Sequence, residues 1–246
     1  MANYVETIIY FQGETENIQR MLGDLDPHGF GTFRIDKINP MPDELVKFDG
    51  FDLGVSIVQE NIFAALMVCS DNSLTIGNEE NATICSEDSS PIDYLQKYGL
   101  EELSELGITP QTTIGEAKKQ IRAVPKFAEH VALFDKYGAC NYLAWASKNL
   151  GTSSWDAKFE ISKVNQNCIC INGATQWSSP EIVIKQMAKR YDVQAHGCAV
   201  EETLQFIGDI ETVDGEVKFT YYEDEADVVA VLKKHGIAEK YKAYFD

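Results

Sequence analysis

Basic residues are scarce in this chain of 246 residues: 21 lysines and arginines stand against 39 aspartates and glutamates, a formal charge of −18. Such a surface repels phosphate backbones, and nucleic-acid binding draws on counterion release to Lys and Arg. Direct nucleic-acid binding is therefore not expected. Long apolar runs are missing too. The longest, such as Ile62 to Cys69, fall far short of the ~20 residues that cross a bilayer, so no membrane partner is expected. The opening MANYVETIIYFQG lacks a basic n-region and a small-residue cleavage site, from which a cytoplasmic protein is expected.

Metal-ligand patterns are equally thin. The four histidines, His28, His130, His196 and His235, are scattered. Of the six cysteines, Cys168 and Cys170 flank Ile169 in a strand-like run, a C-x-C spacing where a zinc pair uses C-x2-4-C and needs a second pair of ligands. Buried free thiols are the expectation, with no metal and no cofactor. Gly29-Phe30-Gly31 precedes a strand instead of a helix, so it is no dinucleotide loop. Walker A, H-E-x-x-H and G-x-S-x-G patterns are absent, and no catalytic residue is assigned.

What is present is an ordinary globular composition, 44% apolar and 24% charged, in a chain long enough for one large domain or two small ones. Tyr4 to Phe11 reads as a strand ended by Gly13, and Ile18, Met21, Leu22 and Leu25 fall on one helical stripe. After the turn Asp26-Pro27-His28-Gly29, Phe33 to Ile38 reads as a second strand stopped by Asn39-Pro40-Met41-Pro42. Phe51 to Val58 and Ile62 to Val68 are strands or buried helix, which periodicity does not separate. Helices follow from Ser90-Pro91, with a capping box at Thr113 and Glu116 and an interruption at Pro125.

The second half is richer. Ala139, Tyr142, Leu143, Ala146 and Leu150 share a helical face, and Gly151 suits the position just past the helix end. Asp156 to Val164 and Asn167 to Gly173 form a hairpin about Asn165-Gln166. Ser178 with Glu181 makes a capping box, or Ser179 caps with Pro180 in the first turn. After that helix, Val193 to Val200, Thr203 to Glu211 and Glu216 to Tyr222 read as antiparallel strands, the last turn marked by Asp214-Gly215. A helix from Asp224 to His235, ended by Gly236, closes the chain. The order suggests an α+β, ferredoxin-like fold: a largely antiparallel sheet with helices on one face.

The three tryptophans lie between Tyr137 and Pro180. Trp145 sits slightly off its helix's apolar stripe, Trp155 opens the hairpin beside Asp156, and Trp177 precedes a helix cap. They either fill the core where helices dock or line a concave ligand site with Asp156. The acids are dispersed, densest at Glu201-Glu202 and at Glu223-Asp224-Glu225 with Asp227. They serve solubility, or imitate a polyanion as a DNA mimic.

NYLAWASKNLGTSSWDA resembles the W-x-x-x-N-W-G-T-K-W-[DN]-A region of the YubB-type ferredoxin-like domain family, plasmid- and phage-associated proteins of unknown function. ATQWSSPEIVIKQMAKRY is similar to that family's T-A-W-S-P-P segment and following helix. ANYVETIIYFQG and FRIDKINPMPDEL resemble its opening strand and I-x-P-M-P-x-E-L turn. Leu150 stands where the family has tryptophan, and Ser154 where it has lysine. The resemblance implies a fold and a mobile-element setting, and no activity.

These readings set the expectations. Residues 1–45 contribute a strand-helix-strand to the sheet, 46–136 form a mixed and then helical insertion, and 137–246 form the ferredoxin-like part. The leading functional expectation is a non-enzymatic binding or regulatory protein whose acidic surface meets a basic protein partner. The alternative is a small-ligand binder or enzyme with a pocket near Trp145, Trp155, Asp156 and Trp177. Oligomeric state is left open.

Overall fold

The computed structural model describes residues 3–47, 73–76, 83–86, 104, 106–109, 111–139 and 141–244. The segments 51–58 and 62–68 and the Ser90-Pro91 helix start lie outside the described residues. Two compact units emerge, one from residues 1–41 with 146–246, the other from residues 42–145.

The first unit is built on a seven-stranded antiparallel sheet of order β2-β5-β6-β1-β7-β8-β9. Its strands are β1 (Tyr4–Gln12), β2 (Thr32–Arg34), β5 (Lys158–Asn165), β6 (Cys168–Gln176), β7 (Gln194–Glu201), β8 (Ile207–Val213) and β9 (Glu216–Tyr222). With the helices α1 (Thr15–Leu25) and α6 (Glu181–Tyr191), the path β1-α1-β5-β6-α6-β7 traces the ferredoxin-like pattern, and β1 and β6 are its central strands. This is the expected α+β, ferredoxin-like fold.

The alternation of strands dictates two faces. Ile161, Ile171, Ile9, Gly197, Ile210 and Phe219 form one cross-strand row. On this face α6 packs, with Lys185 Nζ 5.2 Å from the Phe219 ring centre and Val183, Ile184, Met187 and Tyr191 buried. Each such buried aliphatic contributes about 1.5–3 kcal/mol. Glycine is required within the row: a Cβ on Gly197 would stand 2.1 Å from the Ile8 carbonyl oxygen.

The other face is covered as well, which corrects the expectation of helices on one face. α7 (Glu225–Lys234) and the 3-10 turn Ala238–Tyr244 close over its β1-β7-β8 region. Val228, Val231, Leu232 and Tyr241 form a core with Cys198, Val200 and Ile207, against which Ile8 and Tyr222 pack. From Gly197 to Glu201 β7 is buried on both faces, as a strand covered on both sides is, although its sequence still carries Gln194, His196 and Glu201.

Two local expectations are also corrected. The second strand ends at Arg34, and Ile35–Lys37 coils into a 3-10 turn in which the Ile38 N–H turns back to the Ile35 carbonyl. Neither Ser178 nor Ser179 caps α6; its N-cap falls on Pro180 with no side-chain bond. Both hydroxyls are engaged elsewhere, Ser178 Oγ donating to the Gly151 carbonyl at 2.8 Å and Ser179 Oγ pairing with Tyr221 Oη at 3.2 Å.

In the second unit, α2 (Asp43–Val46), the ribbon β3 (Ser73–Ile76) with β4 (Thr83–Ser86), α3 (Ile114–Ala123) and α4 (Ala128–Tyr137) are described. The Thr113–Glu116 capping box forms as read from the sequence, and Pro125 opens a 3-10 turn between α3 and α4. Arg122 clamps Asp135 through two bonds of 2.9 and 2.8 Å, and Glu44 accepts from Lys136 and Tyr137. Helix α5 (Tyr142–Leu150) runs across the division between the units. Among the described residues, no helix is long and apolar enough to cross a membrane.

Candidate functional site

The stretch from Leu150 to Glu181 is held by a backbone clasp. Gly151 ends α5 in a left-handed conformation (φ +84°), and a Cβ there would meet the Glu181 N–H nitrogen at 3.0 Å. The end of α5 thus abuts the start of α6 at van der Waals distance. Buried Thr152 donates to the Gln176 carbonyl at 3.2 Å, and Ser154 Oγ accepts the Gln176 N–H at 2.7 Å. Leu150 is fully buried, and Ser154 pins the end of β6.

The tryptophans take different environments. Trp145 belongs to the second unit and is 8% exposed. Trp155 is half-buried, with the Arg34 guanidinium 5.1 Å above its ring and Arg34 itself held by Asp36 at 2.5 Å. Asp156 is exposed. Trp177 is 58% exposed and left-handed (φ +67°), its N–H donating to the Asn3 carbonyl at 2.8 Å. The Ser154–Gln176 bond links the residues that precede Trp155 and Trp177.

Two hollows lie elsewhere in the first unit. A polar groove of about 1030 Å³ is lined by Glu14, Asn17, Lys189, Asp192, Gln194 and Glu216, among others. A second, of about 420 Å³, lies beside Pro27, Phe30, Phe33 and Arg34. None of the tryptophans lines either.

The sheet face under α7 gathers titratable groups that sequence spacing did not bring together. Burial draws the Glu6 carboxyl upward, but hydrogen bonds from Lys240 (2.5 and 2.6 Å) and Tyr241 (2.7 Å) outweigh it and hold the group below the usual range. Asp209 behaves alike: burial raises it, and Lys234 at 2.7 Å and His235 at 2.8 Å bring it below. Both carboxylates are thereby occupied as anchors for the C-terminal segment. Their signal in sequence, an acid among apolar strand residues, is legible only once register is known.

Beyond α7 the same face carries the row Ser162, Cys170, Tyr10, His196, Glu211 and Lys218. Tyr10 and His196 stack at 5.3 Å with planes 12° apart, so their faces are turned to each other. Burial, then the neighbouring His235, lowers His196 and favours its neutral form. Burial raises Cys170 and carries Cys198 up to about 12, leaving thiols, not nucleophilic thiolates. Cys168, Cys170 and Cys198 are free, with Cys170 only half-buried. Among the described residues no group of three or more His, Cys, Asp or Glu is placed to hold a metal ion.

The outer edge is strongly acidic. From Glu211 to Asp227 the chain carries Glu211, Asp214, Glu216, Glu223, Asp224, Glu225 and Asp227, all exposed, against the single base Lys218. Glu201, by contrast, belongs to no surface cluster. It is 1% exposed, and its Oε2 accepts from the Thr203 N–H, the Thr203 hydroxyl and the Gln205 N–H.

Residues 152–242 match the family model of the ferredoxin-like domain in Api92-like protein. The match agrees with the ferredoxin-like strand order of this part of the chain. The crystal structure of protein api92 from Yersinia pseudotuberculosis is similar over 89% of this chain and 98% of that one, at 9% identity and a TM-score of 0.37. No curated protein matches.

Proposed function

We propose that this chain is a non-enzymatic binding protein that meets a basic protein partner through the acidic edge formed by the end of β8, by β9 and by the start of α7. The observation that carries this reading is the run of exposed acids from Asp214 to Asp227, six against the single base Lys218 along that stretch, the neighbouring Glu211 being paired with Lys234. Opposed charge of this kind steers encounter and rejects partners of like sign. The resemblance to YubB-type plasmid and phage proteins supports a mobile-element setting, and the free cysteines suit a reducing, cytoplasmic one.

The test is titration of the whole chain and of a Glu216→Gln, Glu223→Gln, Asp224→Asn, Glu225→Gln variant with a short lysine-containing peptide. The native chain binds with an affinity that falls as salt rises, and the variant loses most of that binding. Equal binding by both proteins would remove this edge as the site.

A second reading, a small-ligand site beside Trp155, Asp156 and Trp177, draws on the exposure of Trp177 and on the Arg34–Trp155 stack. Its test is a screen of small acids and aromatic compounds by tryptophan fluorescence. A saturable change that Trp177→Ala removes supports it, and an unresponsive emission dismisses it.

A further inference from the structure

The two edges of the sheet differ. β2 is three residues long and runs straight into a 3-10 turn, which blunts its edge. β9 is seven residues long and pairs in unbroken register from Val213↔Glu216 to Ile207↔Tyr222. Among the described strands its partner is β8 alone, so its outer row of N–H and C=O groups has no strand against it. Folded proteins guard such edges with proline, bulges, short length, inward charges or charged residues on the edge, lysine above all. β9 has no proline and no bulge, and Lys218 is its one basic residue. Val217, Phe219, Thr220, Tyr221 and Tyr222 are instead the β-branched and aromatic types that stabilise cross-strand pairs, and Tyr221 is 44% exposed.

The charges stand at the ends of this strand, Asp214 and Glu216 at one and Glu223, Asp224 and Glu225 at the other, all exposed. We infer that β9 takes an extended segment of a partner protein as an eighth strand, with a basic residue at each end and β-branched residues between. This rests on the basic-partner reading above and adds its geometry. At 3.3–3.4 Å per residue the two acidic ends lie about 20 Å apart, so the two cations stand about six positions apart in an extended segment, with about five residues between them. Main-chain bonds supply affinity in strand addition, and the flanking charges select the partner. A second copy of this chain fits poorly, because edge-to-edge pairing sets acids against acids at both ends.

The probe is the peptide Lys-Val-Thr-Val-Thr-Val-Lys, with two versions N-methylated at alternate residues, one on each edge of the peptide. Binding to the full chain is followed by fluorescence anisotropy, and amide exchange is followed across 216–222. The expected result is that one N-methylated version binds about tenfold or more weakly while the other is little affected. Alternate β9 amides slow in parallel. Equal binding of all three peptides, still sensitive to salt and to the acid-to-amide variant, overturns strand addition and leaves the acidic-edge reading standing. Binding that ignores the acid-to-amide variant overturns both. A dimer with β9 amides protected before any peptide is added overturns the assignment to a separate partner.

Discussion

His235 Nε2 lies 2.8 Å from Asp209 Oδ1, joining the end of α7 to the middle of β8. Lys234 reaches the other carboxylate oxygen at 2.7 Å, so one largely buried aspartate receives two successive residues of the helix. The Glu6 carboxylate receives Lys240 and Tyr241 in the same manner. The C-terminal segment is thus fastened to the sheet at two carboxylates with an apolar cluster between them.

Asp209→Asn is expected to destabilise the chain by about 1–3 kcal/mol at neutral pH, since it leaves the largely buried His235 and the half-exposed Lys234 with a poorer acceptor. The native carboxyl lies below its ordinary value of 3.8. A depressed carboxyl contributes stability that is present above its unfolded pKa and is lost as pH falls through the folded one. The gap between native chain and variant in urea unfolding should therefore be constant above pH 5 and close below about pH 4. A gap that instead widens in acid would contradict the assignment.

Gly151 and Gly215 separate backbone conformation from close approach. Both are left-handed, at φ +84° and +81°, but a Cβ on Gly215 meets nothing within 4 Å whereas one on Gly151 meets the start of α6 at 3.0 Å. Gly215→Ala should lose about 1–2 kcal/mol for the left-handed backbone alone. Gly151→Ala should lose distinctly more. Equal losses in denaturant titrations would mean that the approach of α5 to α6 is relaxed at no cost.

Trp177 is 58% exposed with a left-handed backbone. Trp177→Gly should leave stability unchanged or raise it slightly, because glycine adopts that conformation without the Cβ penalty. It should also remove the most quencher-accessible part of the tryptophan emission. A loss above about 1 kcal/mol, which surface positions seldom show, would mean that the ring packs more than its exposure indicates.

Much of the fold was legible locally. The Thr113–Glu116 box, the Asp214-Gly215 turn and the stop at Gly151 rest on backbone preferences of a few neighbouring residues, and each forms. Ser178 and Ser179 show the limit of that logic. Their spacing suits a cap, yet Gly151 and Tyr221, distant in sequence, take the hydroxyls. The Glu201-Glu202 pair looked like surface charge, and the turn after β7 folds Glu201 inward to satisfy three donors.

The sequence by itself determined most of the element types in the sheet-forming part, the α+β class and the negative net charge, because periodicity, caps and composition act over short range. Tertiary structure alone decided that β1 is central, that α7 covers the second face, that Leu150 and Ser154 serve the core and a clasp, and that β9 stands at the edge. Those outcomes depend on strand order and register. Shifting one residue exchanges the faces of a strand, and the choice is made by contacts between segments more than a hundred residues apart, as in β1 against β6.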